Sequence, residues 1–341
     1  MSKSADVYTL NNSNGVEVSF MADGARIISI NVPDVKGNIA DVVIGYDTPE
    51  GALKGDAYFG ALCGRYANRI VEGKFSIDGK EYQLDCNNDT NHLHGGNEGF
   101  NSREWTVEPV SIPKFAQAYN LSLVSPDGDQ KYPGELTVEV TYGLTSDNEF
   151  VIEYSAETTK PTVINLTAHP YFNLKGAGSG TVENHELQIN ASKYTPIDGA
   201  IGTISGEIVP VKDTPFDFTT AKKIGDAVNE DADQLKFGGG GLDHNFVIDG
   251  YDGSVRLAAV LTDSESGRSM EVYTDQPGVQ TYTGNHFDKS DIGKQGQPIE
   301  KWAGVALETQ IFPDSPNKEH FPNAVLKPGE TYKHICVYKF S

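Results

Sequence analysis

Leu136-Thr-Val-Glu-Val-Thr-Tyr142 alternates apolar and polar side chains without a break. A period of two places Leu136, Val138, Val140 and Tyr142 on one face of an extended chain, the pattern of a half-buried β-strand. The segment extends to residues 134–144, and similar segments recur on both sides of it. Upstream they are residues 16–20, 25–32 (with Ile27, Ile28 and Ile30), 41–46 and 121–124. Downstream they are residues 149–158, 185–190, 246–248, 255–261, 269–274, 303–309 and 332–339. Residues 75–84 read as a hairpin, with Asp78-Gly79 as the tight turn between alternating runs. Helical periodicity is scarce: residues 219–228 predict one short helix beginning near Asp217, with Thr219 or Thr220 as its N-cap. Frequent turn signals without βαβ alternation predict an all-β fold, an antiparallel sandwich or barrel.

At 341 residues the chain is long enough for two domains, but all-β sandwiches often run this long as one unit. With no internal repeat, linker or low-complexity segment, residues 1–341 are expected to form a single domain. A net charge of −21 argues against nucleic acid and anionic membrane as partners, since both require Lys and Arg to neutralise phosphates. Cys63, Cys86 and Cys336 are too few and too scattered for a disulfide framework or a thiolate zinc site. The opening Met-Ser-Lys-Ser-Ala-Asp-Val has no apolar core, so no signal peptide is read, and no run of about 18 apolar residues suggests a membrane span. A glycan on the sequon Asn165-Leu-Thr167 would disrupt a predicted strand, which fits a cytoplasmic location. Phe237-Gly-Gly-Gly-Gly-Leu242 lacks the Gly-Lys-Ser/Thr of a phosphate loop and reads as a flexible loop that lets Asp243 and His244 approach something closely.

Candidate chemistry gathers elsewhere. In Val163-Ile-Asn-Leu-Thr-Ala-His-Pro-Tyr-Phe-Asn-Leu174 a β-prone run leads to His169, and Pro170 fixes the backbone after it. A histidine held there can be a core residue satisfied by a carbonyl or a group within reach of a substrate. His92 and His94, two apart, would share a face of a strand. Such a pair can ligate a metal, but a structural or substrate-binding role is favoured and no metal is assigned. Asn68-Arg69 offers a fan of donors suited to hydroxyl groups, and one of Arg65 and Arg69 can simply be a surface charge. Glu308, within an apolar strand, is costly unless exposed or functionally placed.

Together these fragments resemble the aldose 1-epimerase (galactose mutarotase) family. They are Gly64-Arg-Tyr-Ala-Asn-Arg-Ile70, His92-Leu-His-Gly-Gly96, Ser125-Pro-Asp-Gly128 with Tyr132-Pro-Gly134, Asn165-Leu-Thr-Ala-His-Pro-Tyr-Phe-Asn-Leu174, Leu242-Asp-His244, Gln276-Pro-Gly-Val-Gln-Thr-Tyr-Thr-Gly-Asn285 and Leu307-Glu-Thr-Gln310. They occur in the family's order from about residue 15 to the C-terminus. The resemblance implies a large antiparallel β-sandwich with an open sugar groove. It assigns Glu308 as catalytic base and His169 as catalytic acid. Asn68, Arg69, His94, Asp243 and Gln280 would bind the sugar. Members often carry asparagine before the catalytic histidine, where this chain has Ala168.

The implied reaction interconverts α- and β-anomers of free aldohexoses such as galactose and glucose. A carboxylate takes the proton of the C1 hydroxyl while an imidazolium protonates the ring oxygen, and the two exchange roles on closure, so no cofactor is needed. Acidic surroundings are expected to help keep His169 protonated. The partner is a small-molecule sugar, and the protein itself is expected to be a monomer or homodimer. The alternative is a non-catalytic sugar-binding or regulatory protein on the same fold. Glycoside hydrolysis by Asp243 and Glu308, epimerisation of hexose 6-phosphates and metal-dependent chemistry fit the motifs less well.

Overall fold

The computed structural model describes residues 5–55, 58–199 and 202–341. Its backbone is a nine-stranded antiparallel sheet on which two smaller antiparallel sheets are packed. The large sheet runs, in spatial order, Thr106–Val110, Gln117–Ser125, Leu136–Leu144, Glu149–Thr158, Tyr332–Phe340, Ser269–Thr274, Arg256–Thr262, Glu186–Ile189 and Lys222–Lys223. The opening stretch lies within Leu136–Leu144, and Leu136, Val138, Val140 and Tyr142 all turn inward and are buried. The antiparallel sandwich expected from the alternation is therefore present.

A four-stranded sheet (Val7–Asn11, Glu17–Met21, Arg26–Pro33, Ile39–Asp41) packs on one part of this inner face. There Phe20 meets Tyr142 edge to face at 5.1 Å, and the Tyr142 hydroxyl donates to the Ala25 carbonyl at 2.7 Å. A six-stranded sheet packs on another part, with spatial order Tyr171–Phe172, Val305–Gln310, Gly278–Tyr282, Asp243–Val247, Lys193–Thr195 and Val209–Pro210. Phe172 lies 4.9 Å from the Tyr338 ring, and the Tyr338 hydroxyl donates to the Leu307 carbonyl at 3.1 Å. One continuous apolar core joins the three sheets through Val18, Phe20, Val138, Ile152, Phe246, Val279 and Leu307. Complete burial of each such side chain contributes about 1.5–3 kcal/mol.

The hairpin at Asp78-Gly79 forms as expected: Lys74–Ile77 pairs with Lys80–Gln83, and both turn residues have positive φ (50° and 79°). The helix expected over 219–228 requires correction. Only Ile224–Val228 is helical. The Thr219 amide and hydroxyl both donate to Asp217 Oδ1, at 3.2 and 2.6 Å, forming a local turn in place of a helix cap. Lys222–Lys223 instead joins the edge of the large sheet. The β-prone run before His169 is also interrupted. Thr162–Val163 and Thr167–Ala168 pair with different partners, Val325–Leu326 and Leu62–Cys63. Between them Asn165, fully buried, donates to the Ala67 carbonyl at 3.0 Å and accepts from the Ile311 amide at 3.2 Å. The sequon amide is thus a tie between segments.

Candidate active site

Strand alternation builds the floor of the site. In the six-stranded sheet Tyr171 pairs with Ala306, Ala306 with Tyr282, and Tyr282 with Asp243. Gln280 pairs with Glu308 and Asn245 with Gln280. Residues paired across strands share a face, as do residues two apart, so Tyr171, Glu308, Gln280, Tyr282 and Asp243 all project from one side. On the opposite side Phe246, Val279, Val305 and Leu307 enter the core. This explains why Asp243 reaches the groove and His244 does not. His244 is fully buried, accepts at Nδ1 from the Asp243 amide at 3.1 Å, and packs 4.4 Å from the Phe216 ring.

The floor opens into a cavity of about 420 Å³ whose walls include Tyr58, Asn68, Arg69, His94, His169, Asp243 and Glu308. Six of the seven residues singled out from sequence line it. Gln280 is the exception: it lies beside Asp243, donating from Nε2 to Asp243 Oδ1 at 2.7 Å. On the other side of Asp243, Arg69 Nη1 stands 3.8 Å from Oδ2, and Arg69 Nε donates to Asn88 Oδ1 at 3.0 Å. Asp243, Gln280, Arg69 and Asn88 therefore form one connected string. At the base His169 Nε2 lies 3.3 Å from Glu308 Oε1, with both side chains almost wholly buried. Tyr171 packs 4.8 Å from the His169 ring, while Tyr58 lies between His94 (4.7 Å) and His169 (6.3 Å).

Burial dominates the electrostatics. It pushes the Glu308 carboxyl well above its ordinary value; Asp243 adds to the rise and Arg69 opposes it. Burial lowers His169 to about 4. The expectation that acidic surroundings keep His169 protonated is therefore corrected, because desolvation acts in the opposite sense. The carboxyl–imidazole pair and the carboxylate–imidazolium pair carry the same net charge and differ by one proton moved across 3.3 Å. A partner at that distance offsets desolvation for the ionised form, as a distant surface charge cannot.

His94 is also driven well below its ordinary value, by burial and then by the neighbouring His169 and Arg69. Its Nδ1 accepts from the Asn68 amide at 3.2 Å, which leaves the proton of the neutral ring on Nε2. His94 is thereby a fixed hydrogen-bond donor. His94, His169 and Glu308 each bring one possible ligand atom within 4.8 Å of the others. The Asn68 contact, however, holds a hydrogen on His94 Nε2, where a metal would need a lone pair, so the trio fits a sugar hydroxyl or ring oxygen better than an ion.

The shared face expected for His92 and His94 is corrected. The strand His92–Leu93 is only two residues long, and His94 has φ of 50°, outside the extended region. His92 points away, to the Tyr132 hydroxyl (2.6 Å) and the Asp85 carbonyl (2.7 Å). Arg65 is not a surface charge either. It is buried, and its guanidinium donates to the Ser125 hydroxyl at 2.6 Å and to the Pro133 and Gly134 carbonyls at 3.0 and 2.8 Å. The Ser125-Pro-Asp-Gly128 and Tyr132-Pro-Gly134 motifs thus form its cradle. Ala168 turns into the main core, away from the cavity.

The family model described as aldose 1-epimerase matches residues 6–339. The galactose mutarotase of Bos taurus is 43% identical over 329 residues, covering 96% of this chain and 92% of that protein. The solved structure of an aldose epimerase homologue from C. elegans superposes with a TM-score of 0.89 at 30% identity, covering 99% of each chain. That of galactose 1-epimerase from Lactobacillus acidophilus NCFM gives a TM-score of 0.86 at 31% identity, covering 98% of this chain and 93% of the other.

Proposed function

The chain belongs to the aldose 1-epimerase family, and from that premise we propose that it interconverts the α- and β-anomers of free aldohexoses such as galactose and glucose. The observation that carries this reading is the 3.3 Å contact between His169 Nε2 and Glu308 Oε1 at the base of the cavity. The two oxygens that exchange protons in mutarotation, the anomeric hydroxyl and the ring oxygen, are bonded to the same carbon. A base and an acid in direct contact span such a pair.

With the proton of the pair moved from the Glu308 carboxyl to His169, Glu308 as carboxylate removes the proton from the C1 hydroxyl. His169 as imidazolium donates its Nε2 proton to the ring oxygen as the bond from C1 to that oxygen breaks. The open-chain aldehyde turns about C1–C2, and reversal of both transfers closes the ring on the other face. Each proton transfer is worth roughly 10²–10⁴-fold in rate. The His94 Nε2 hydrogen and the Arg69 guanidinium supply donors for charge developing on the ring oxygen. Asp243, aligned by Gln280 and Arg69, accepts from sugar hydroxyls, and Asn68 contributes a further contact. Tyr58, Tyr171 and Tyr282 give apolar faces for the ring. All groups in this scheme belong to the chain, and the family match over residues 6–339 supports reading it as one working unit.

Polarimetry on freshly dissolved α-D-galactose and α-D-glucose tests the proposal. Rotation is expected to decay faster than in buffer, to an unchanged end point. Folded protein that leaves the rate at the buffer value would refute it.

A further inference from the structure

Behind the floor of the site, on the side facing the large sheet, stands a histidine with no part in the proposed proton transfers. His334, in Tyr332–Phe340, is fully buried. Its Nδ1 lies 3.0 Å from the Leu166 carbonyl, which can only accept, so Nδ1 carries the hydrogen. Burial lowers the ring to about 4, so it is neutral and Nε2 is an acceptor. The Thr309 hydroxyl donates to it at 2.8 Å. Both bonds of one imidazole are thereby committed, one to each active segment: Thr309 follows Glu308, and Leu166 precedes His169 by three residues.

Other ties join the same two segments. The Thr167 hydroxyl donates to the Thr309 carbonyl at 3.0 Å, and Asn165 Oδ1 accepts from the Ile311 amide at 3.2 Å. The Leu166 amide donates to the Tyr332 hydroxyl at 3.3 Å, so Tyr332 and His334 hold both sides of Leu166. The Tyr154 ring stacks on His334 at 4.5 Å and 10°, fixing the plane of the imidazole. His334 bonds to both segments and anchors them to the large sheet.

We propose that His334 is a positioning residue that sets the separation of Glu308 from His169 by bridging Thr309 and Leu166. The inference rests on the reading of that pair as base and acid. Its effect belongs to the transition state, because a proton-transfer pair tolerates less displacement than the hydroxyl contacts that hold the ground-state sugar.

The test compares wild type with His334→Phe, which keeps a ring against Tyr154 and loses both bonds, and His334→Gln, whose amide restores one donor and one acceptor. Rates are measured by polarimetry well below each variant's thermal midpoint, with the folded fraction checked by circular dichroism. His334→Phe is expected to lower kcat by about 10- to 100-fold with KM nearly unchanged, and His334→Gln to recover most of that loss. Wild-type kcat in folded His334→Phe, equal impairment of the two variants, or a loss confined to KM would overturn the inference. Should His334→Phe not fold, Thr309→Val takes its place: lower kcat at constant KM supports the bridge, and wild-type kcat refutes it. An inactive wild type would refute the proposed function itself, a result separable from any difference among variants.

Discussion

Asp243 is bonded to Gln280, faces Arg69 across 3.8 Å, and its charge helps raise the Glu308 carboxyl. Removing that charge allows Glu308 to ionise at lower pH, because a neighbouring anion penalises the carboxylate form. In Asp243→Asn the acid limb of the profile of kcat/KM against pH should therefore move to lower pH, while KM rises through loss of the proposed sugar contact. A limb that stays in place or moves upward would contradict the assignment. At this scale the sequence was a good guide where chemistry and spacing coincide. His169 beside proline and Glu308 inside an apolar strand are unusual placements, and the cavity brings them together. Tyr58 and Asn88 escaped notice because each stands in irregular chain, Tyr58 at φ of 56° and Asn88 in a tight exchange of backbone bonds with Asn91. No periodicity marks such residues. His92 shows the converse: spacing suggested a pair with His94, and one residue at positive φ separated them.

Among elements, the turn that presents His94 has little room for change. Gly95 has φ of 92°, and a Cβ placed there would lie 1.8 Å from the Gly64 carbonyl oxygen, in the segment that carries Asn68 and Arg69. The clash is with backbone, so it cannot be relieved by a rotamer. Gly95→Ala should lower the thermal midpoint and raise KM by roughly tenfold or more, since an ångström of displacement at a binding group is worth up to about 10²-fold. A folded variant with wild-type KM would show that this turn does not set His94. Strands were legible where burial imposes a period of two, as in Ser269–Thr274, whose buried and half-buried residues alternate from end to end. Of the helix expected over 219–228 only Ile224–Val228 formed, and its first half was lost for a local reason: the Asp217 carboxylate was already bonded to Thr219, and the chain gained a sheet edge before it turned. The helices Pro49–Ala52 and Asp233–Phe237 are too short to generate a periodic signal.

For the molecule as a whole, burial of histidine has a consequence for stability. Of eight histidines, six are lowered by burial: His92, His169, His185 and His334 to about 4, His244 to about 3, and His94 well below its ordinary value. Between about pH 6.5 and 4 the unfolded chain binds protons that the native state refuses, so stability must fall as pH falls through that window. Each proton taken up on unfolding adds about 1.4 kcal/mol per pH unit to the slope. Glu308, Asp41 and Asp314, all raised by burial in the native state, act in the opposite sense, but as three groups against six. Urea midpoints should drop steeply from pH 7 to pH 4.5, and a flat profile would contradict the burial of these rings. Such coupling was invisible in the sequence, which gives the number of histidines and not their surroundings. The architecture that buries them also isolates His169 and Glu308, the two residues proposed to share the proton transfers. The deciding measurement is kcat for Glu308→Gln and His169→Asn on α-D-galactose, beside calorimetric binding of the sugar to each. A loss of roughly 10²–10⁴-fold is expected in each variant with binding retained, and a double variant should be little worse than the worse single one. Wild-type kcat in either folded variant would contradict those shared roles.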